Sequence, residues 1–160
     1  MKPDIIDKLF TKYYNEALLY TISICKNKTV AEDIVSTAFF KALQSADDSV
    51  SNFKAWLFAV CRNEYIDILR KNSKLSGEEI SDELEDEREQ LLDEIIRKDE
   101  YRALYHAIDL LPGNQREVIT LFYFSEMSVK DIAQITGKSE SNTKVMLHRS
   151  RENLKKILEE

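Results

Sequence analysis

Residues 107–158 read AIDLLPGNQREVITLFYFSEMSVKDIAQITGKSESNTKVMLHRSRENLKKIL, and the punctuation of this stretch decides the fold. Apolar residues recur at helical spacing between breaks made by Pro112-Gly113, Ser128, Gly137 and Ser139. Asn114 and Glu117 restart a helix expected to run to about Phe124, with the apolar residues from Leu121 to Phe124 serving the core and leaving some surface for a partner. Ser128 caps a short helix that ends at Gly137, a residue suited to a left-handed turn. Ser139 opens a last helix that reaches about Leu158. Ala133, four positions before Gly137, supplies the small side chain that two crossing helices need. This is the pattern of a helix-turn-helix, whose second helix lies in a DNA groove. That second helix is basic: residues 138–156 hold six Lys or Arg against two Asp or Glu. Its N-terminal half is expected to meet base edges and its C-terminal half to follow phosphates, with Ser139 and Ser141 offering free N–H groups to an anion. Lys144, His148, Arg149 and Arg151 recur there at roughly helical spacing, and Asn142, Lys144, Val145, His148 and Arg149 are the candidate contacts to duplex DNA. A basic solvated helix in an ordinary bundle remains an alternative reading of this segment taken alone.

Toward the N-terminus, residues 5–26 carry Ile6, Leu9, Phe10, Tyr13, Ala17, Leu18, Thr21 and Ile24 on one helical face. A second helix is expected to start at Thr29, which forms a capping box with Glu32, and to bury Ala31, Ile34, Val35, Ala38 and Ala42. The polar run QSADDSVSN at 44–52 reads as a loop. A third helix runs from about 53 to 72, FKAWLFAVCRNEYIDILRKN, apolar nearly all round in its first half and polar in its second. Trp56 sits among Phe53, Leu57 and Val60, which favours core packing over base stacking.

The chain has 160 residues with three Gly and two Pro, which favours long helices. No strand-like alternation and no internal repeat is visible. The expected fold class is all-α: two small helical bundles over 1–72 and 101–160, the second containing the helix-turn-helix, joined by an acidic linker over 73–100. Apolar periodicity resumes within that linker at Leu91, Leu92, Ile95 and Ile96. The net charge of −6 argues against nucleic acid only until its distribution is seen. Residues 72–100 hold four basic against twelve acidic side chains, so the two bundles are each close to balance. The local field around a basic helix decides binding, not the overall charge.

No apolar run of membrane-spanning length and no secretory leader is present, so a cytoplasmic protein without membrane insertion is expected. Cys25 and Cys61 lie in apolar helical patterns and read as two buried thiols; neither they nor His106 and His148 have the spacing of a metal site. Without a Gly-rich phosphate loop or paired carboxylates in an apolar setting, an enzyme has little support, and no cofactor is expected.

Taken together, AEDIVSTAFFKAL at 31–43, FKAWLFAVCRNEYIDILRKNSK at 53–74 and LLPGNQREVITLFYFSEMSVKDIAQITGKSESNTKVMLHRSRENLKK at 110–156 resemble the bacterial RNA polymerase sigma factors. The resemblance is strongest to the small extracytoplasmic-function (ECF) group of the sigma-70 family, which keeps only regions 2 and 4. The landmarks are Trp-Leu, Arg-Asn, Asp-x-x-Arg and Leu-Pro-x-x-x-Arg-Glu, in the family's order and spacing. The resemblance implies a protein that binds core RNA polymerase and promoter DNA and directs initiation by reading −10 and −35 elements, without covalent chemistry of its own. It implies that Asp33, Thr37, Phe40 and Lys41 dock on the polymerase clamp; core packing is the alternative for Phe40, and since Phe39 and Phe40 are adjacent, both cannot point the same way. It implies that Arg62, Asn63, Asp67, Arg70 and Lys71 serve −10 recognition and melting, although Asp67 is as readily an intrahelical partner of Arg70 or Lys71. An anti-sigma factor is the implied regulator. Three positions often apolar in the family, Thr136, Lys138 and Thr143, are polar here and predict a slightly looser helix-turn-helix, and Met146 stands where Arg is frequent. Two alternatives stay open on sequence: a dimeric regulator that binds duplex DNA alone, and a decoy that occupies polymerase without reading a promoter.

Overall fold

A computed structural model describes residues 1–45, 52–75 and 99–159. They fall into two compact units, Met1–Ser81 and Asp82–Glu160. Among the described residues, the regular structure consists of seven α-helices and one wider turn, with no strand.

In the N-terminal unit, α1 spans Pro3–Cys25, α2 Lys28–Ser45 and α3 Phe53–Leu75. Pro3 opens α1, where its missing N–H costs nothing, and Asp4 places a carboxylate in the first turn. The helix stops at Lys26, which takes a left-handed conformation (φ 57°) and donates its N–H to the Ile22 carbonyl. The cap of α2 is Asn27, not Thr29: the Asn27 Oδ1 accepts the Val30 N–H at 3.1 Å, and the helix starts at Lys28. Both residues are good caps, and the tight turn after α1 brings Asn27 into position first. Asn52 caps α3 in the same way, accepting the Ala55 N–H at 3.1 Å. This helix outruns its expected end at 72 by three residues, with the Ser73 hydroxyl bonded to the Arg70 carbonyl at 2.9 Å.

The three helices pack pairwise around Ala17, Tyr20, Val35, Ala38, Leu57 and Phe58, all with no exposed surface. Burial of one such large apolar side chain stabilises by about 1.5–3 kcal/mol. Tyr20 and Phe58 stack with ring centroids 4.9 Å apart and planes 7° from parallel, which joins α1 to α3. The Glu16–Lys54 ion pair at 2.6 Å joins the same two helices at the rim. Trp56 is half-buried and stacks on Phe53 at 5.7 Å, so it packs at the edge of the core rather than inside it. The two cysteines differ. Cys61 is buried and its thiol is pushed up to about 12, by desolvation first and by the Glu64 charge, against a lowering hydrogen bond with Thr21. Cys25 is only half-buried, because it lies in the last turn of α1.

In the C-terminal unit, α4 spans Asp99–Asp109, α5 Gly113–Ile119, α6 Val129–Thr136 and α7 Glu140–Glu159. Between α5 and α6 the chain widens into a π-helical turn, Thr120–Phe124, closed by the Ser125 N–H on the Thr120 carbonyl at 3.1 Å. The expected helix to Phe124 is therefore α-helical only to Ile119. Leu121 is fully enclosed, whereas Tyr123 and Phe124 are 51% and 39% exposed, so the run serves the core and leaves some surface, as its sequence suggests. The core is completed by Ile108, Leu111, Val118, Ile119, Ile132 and Leu147. The loop expected at 44–52 is partly helical, since α2 reaches Ser45, and its residues 46–51 lie outside the described residues. So do residues 76–98, which hold most of the acidic linker and the Leu91–Ile96 periodicity.

Candidate functional site

The helix-turn-helix is built by local chemistry. Ser128 accepts the Asp131 N–H at 3.1 Å and starts α6. The helix ends where Gly137 adopts φ 69°, and the Gly137 and Lys138 N–H groups both turn back to the Ala133 carbonyl. A Cβ at Gly137 would meet no neighbour, so the backbone angle alone selects glycine there. Ser139 then accepts the Asn142 N–H at 3.0 Å and starts α7. The polar positions expected to loosen this packing are accommodated. Thr136 and Thr143 are buried, and their hydroxyls donate to the Ile132 and Ser139 carbonyls at 2.7 and 2.9 Å. Each therefore presents its methyl to the core without leaving a polar group unmade.

Burial divides α7 along its length. Thr143, Leu147 and Ser150 are enclosed against the unit, at the i, i+4, i+7 spacing of one face. Asn142, Lys144, Val145, His148 and Arg149 are all exposed. Asn142, Val145 and Arg149 share one exposed stripe at i, i+3, i+7, with half-buried Met146 beside them. Lys144 and His148, at i and i+4, form a second stripe on the flank. One face thus offers an amide, an apolar side chain and a guanidinium in sequence, with cations beside them. These groups match adenine, the thymine methyl and guanine or phosphate in a major groove.

Arg151 departs from the sequence grouping. Its Nε donates to the Tyr123 hydroxyl at 2.5 Å, and the guanidinium carbon stands 5.3 and 5.5 Å from the Phe122 and Tyr123 ring centroids. Asn153, two positions on, donates to the Gln115 side chain at 2.8 Å and ties α7 to α5. Arg116 of the Leu-Pro-x-x-x-Arg-Glu landmark is 6% exposed, and its Nη1 reaches the Asp109 carbonyl at 3.3 Å. It holds the end of α4 by satisfying one of the last helical carbonyls. In sequence this Arg is legible as a landmark but its role is not, because the partner lies seven residues back across the Pro-Gly break.

In the N-terminal unit, Asp33, Thr37 and Phe40 lie at i, i+4, i+7 on α2, and Phe40 is 58% exposed while Phe39 is 5%. Lys41 lies about 100° round from Phe40 and is paired with Glu64 of α3. On α3, Asn63, Asp67 and Arg70 form one exposed stripe at i, i+4, i+7. Asp67 and Arg70 are 4.0 Å apart, the outer limit of an ion pair, and both are open to solvent. Such a pair contributes little and is readily exchanged for other contacts. Lys71 is exposed about 100° to one side of Arg70, and Arg62 is half-buried near the opposite edge. Asn63, Asp67, Arg70 and Lys71 thus span about 100° of the helix surface, and Arg62 lies about 80° beyond Arg70.

Among the described residues, no cluster of His, Cys, Asp and Glu is placed to hold a metal ion, and no helix is long and apolar enough to cross a membrane.

Comparison with known proteins matches this division. The sigma-70 region 2 family model covers residues 9–75, and the sigma-70 region 4 model covers residues 101–154. The ECF RNA polymerase sigma factor SigM of Bacillus subtilis (strain 168) is 32% identical over 158 residues, 95% of this chain and 94% of that protein. The RNA polymerase sigma factor YlaC of the same organism is 29% identical over 161 residues, 96% of this chain and 91% of that protein. Among solved structures, the sigma factor RpoE of Bartonella quintana, in complex with the anti-sigma factor NepR, is similar with a TM-score of 0.69 at 25% identity and 96% coverage of both chains. With exposed polar stripes on two helical units and relatives matched along nearly its whole length, the chain belongs to the ECF RNA polymerase sigma factors of the sigma-70 family, which direct promoter-specific transcription initiation.

Proposed function

We propose that the two units divide the work of initiation. The N-terminal unit docks on core RNA polymerase through Asp33, Thr37 and Phe40 of α2, with Lys41 at the rim of the contact. The neighbouring stripe of Asn63, Asp67 and Arg70 on α3, flanked by Arg62 and Lys71, handles the −10 element and the opened strand. Phosphates are held by the arginines and Lys71, and a base edge by the paired donor and acceptor of Asn63. The C-terminal unit seats α7 in the major groove of the −35 element, where Asn142, Val145 and Arg149 face the bases and Lys144 and His148 follow the backbone. The protein works in the cytoplasm, without chemistry or cofactor of its own. The complex of the similar RpoE with NepR supports an anti-sigma factor as a further partner of this chain.

The observation that carries the docking surface is Phe40. It is a large aromatic residue 58% exposed beside polar residues of the same helix, with its neighbour Phe39 committed to the core. Aromatic anchors of this kind dominate interface energies once a partner covers them. Asp33→Ala with Phe40→Ala is expected to weaken association with core polymerase at least about tenfold, the cost of one hot-spot residue. Titration of labelled core polymerase measures this, and unchanged affinity with a native circular dichroism spectrum would reassign the face.

A further inference from the structure

We propose that Arg151 is a positioning residue of the recognition helix, acting through Tyr123 and Phe122, and not a phosphate contact. The inference rests on the reading of α7 as the DNA-facing helix. In sequence Arg151 belongs to the same basic run as Arg149. Two steps along an α-helix rotate a side chain by about 200°, so the two arginines leave the helix on nearly opposite sides. Arg149 is on the stripe with Asn142 and Val145. Arg151 is turned toward the π-helical turn.

There it meets three complementary features. The Tyr123 hydroxyl accepts from the Arg151 Nε at 2.5 Å. The Phe122 and Tyr123 rings stand edge to face at 5.0 Å, with the guanidinium over both. A planar cation held by a ring face and by a hydroxyl has fixed distance and fixed orientation, which a flexible ammonium would not have. Within the π-helical turn, Tyr123 stands outside the core while Leu121, two residues earlier, is fully enclosed. The aromatic pair is thereby anchored through Leu121 and offers its rings to the flank of α7. Asn153 on Gln115 supplies a second polar tie, from α7 to α5. Thr143, Leu147 and Ser150 form the enclosed face of α7, and rotation about the helix axis would change which residues oppose that face. The Arg151 clasp and the Asn153 tie restrict that rotation. They set which residues of α7 point outward, and hence the register in which Asn142, Val145 and Arg149 meet base edges.

The test is the salt dependence of promoter binding by the reconstituted holoenzyme, followed by fluorescence on a promoter obtained by selection. Removal of one phosphate-neutralising cation flattens the slope of log affinity against log salt by about 0.9. Lys144→Ala, which removes a backbone-facing cation in this account, is expected to show that flattening. Arg151→Ala is expected to weaken binding by up to about tenfold, the size of one hydrogen bond and one guanidinium–ring interaction, with the slope unchanged. Arg151→Lys keeps the charge but is expected not to restore affinity. Tyr123→Phe is expected to reproduce part of the loss and to add little in the Arg151→Ala background. A slope flattened by Arg151→Ala, rescue by Arg151→Lys, or full additivity with Tyr123→Phe would overturn the proposal. A slope unmoved by Lys144→Ala would instead contradict the DNA-facing reading of α7, and the proposal would fall with it.

Discussion

Phe58→Ala is expected to lower the stability of the N-terminal unit by about 3–5 kcal/mol, the range for truncating a fully enclosed aromatic. Phe58 has no exposed surface, and its ring stacks on Tyr20 at 4.9 Å with planes 7° apart. The substitution removes the transfer energy of the ring, leaves a cavity between α1 and α3, and breaks the stack, itself worth about 0.5–1.5 kcal/mol. A domain of this size has only about 5–15 kcal/mol to lose. Urea denaturation of the full chain, followed by helical circular dichroism, measures the change. The functional consequence is selective. The stripe of Asn63, Asp67 and Arg70 depends on the seating of α3, so initiation is expected to fail, while the C-terminal unit keeps its caps and core. A midpoint unchanged by this substitution would contradict the described packing.

The double substitution Lys144→Ala with Arg149→Ala carries the second large effect. Both side chains are exposed on α7, on neighbouring stripes. If each neutralises one phosphate, their removal flattens the salt slope by about 1.8 and weakens binding about thirtyfold near 0.15 M salt. If Arg149 instead holds a guanine edge, the penalty of about 1–3 kcal/mol falls mainly on promoters carrying that base. In either case dependence on the −35 element is expected to disappear, while affinity for core polymerase remains that of the unaltered protein. Equal loss of both functions would contradict the division of labour. Filter binding at four salt concentrations and polymerase titration separate these outcomes.

What can be read from sequence is what local chemistry controls. Ser128, Gly137 and Ser139 mark the helix-turn-helix because each satisfies backbone groups within a few residues of itself. The exposed and buried sides of α7 follow from its period, which is why Asn142, Val145 and Arg149 are legible as one outward stripe. Legibility fails where two local signals compete or where the partner is distant. Asn27 and Thr29 are both capping residues, and only the geometry after α1 selects Asn27. The run Thr120–Phe124 has no period to reveal a π-helical turn, so sequence suggests some exposed surface there without saying that Tyr123 and Phe124 provide it. The ties that Lys41 and Arg151 make within their own units are not legible in sequence. Their partners, Glu64 and Tyr123, are 23 and 28 residues away.

Run-off transcription with core RNA polymerase on a randomised promoter library tests the central claim most directly. Transcripts are expected that depend on this chain and whose templates share two separated upstream elements, the distal one dispensable once Lys144 and Arg149 are replaced. A chain that neither associates with core polymerase nor yields a transcript from any template would contradict it.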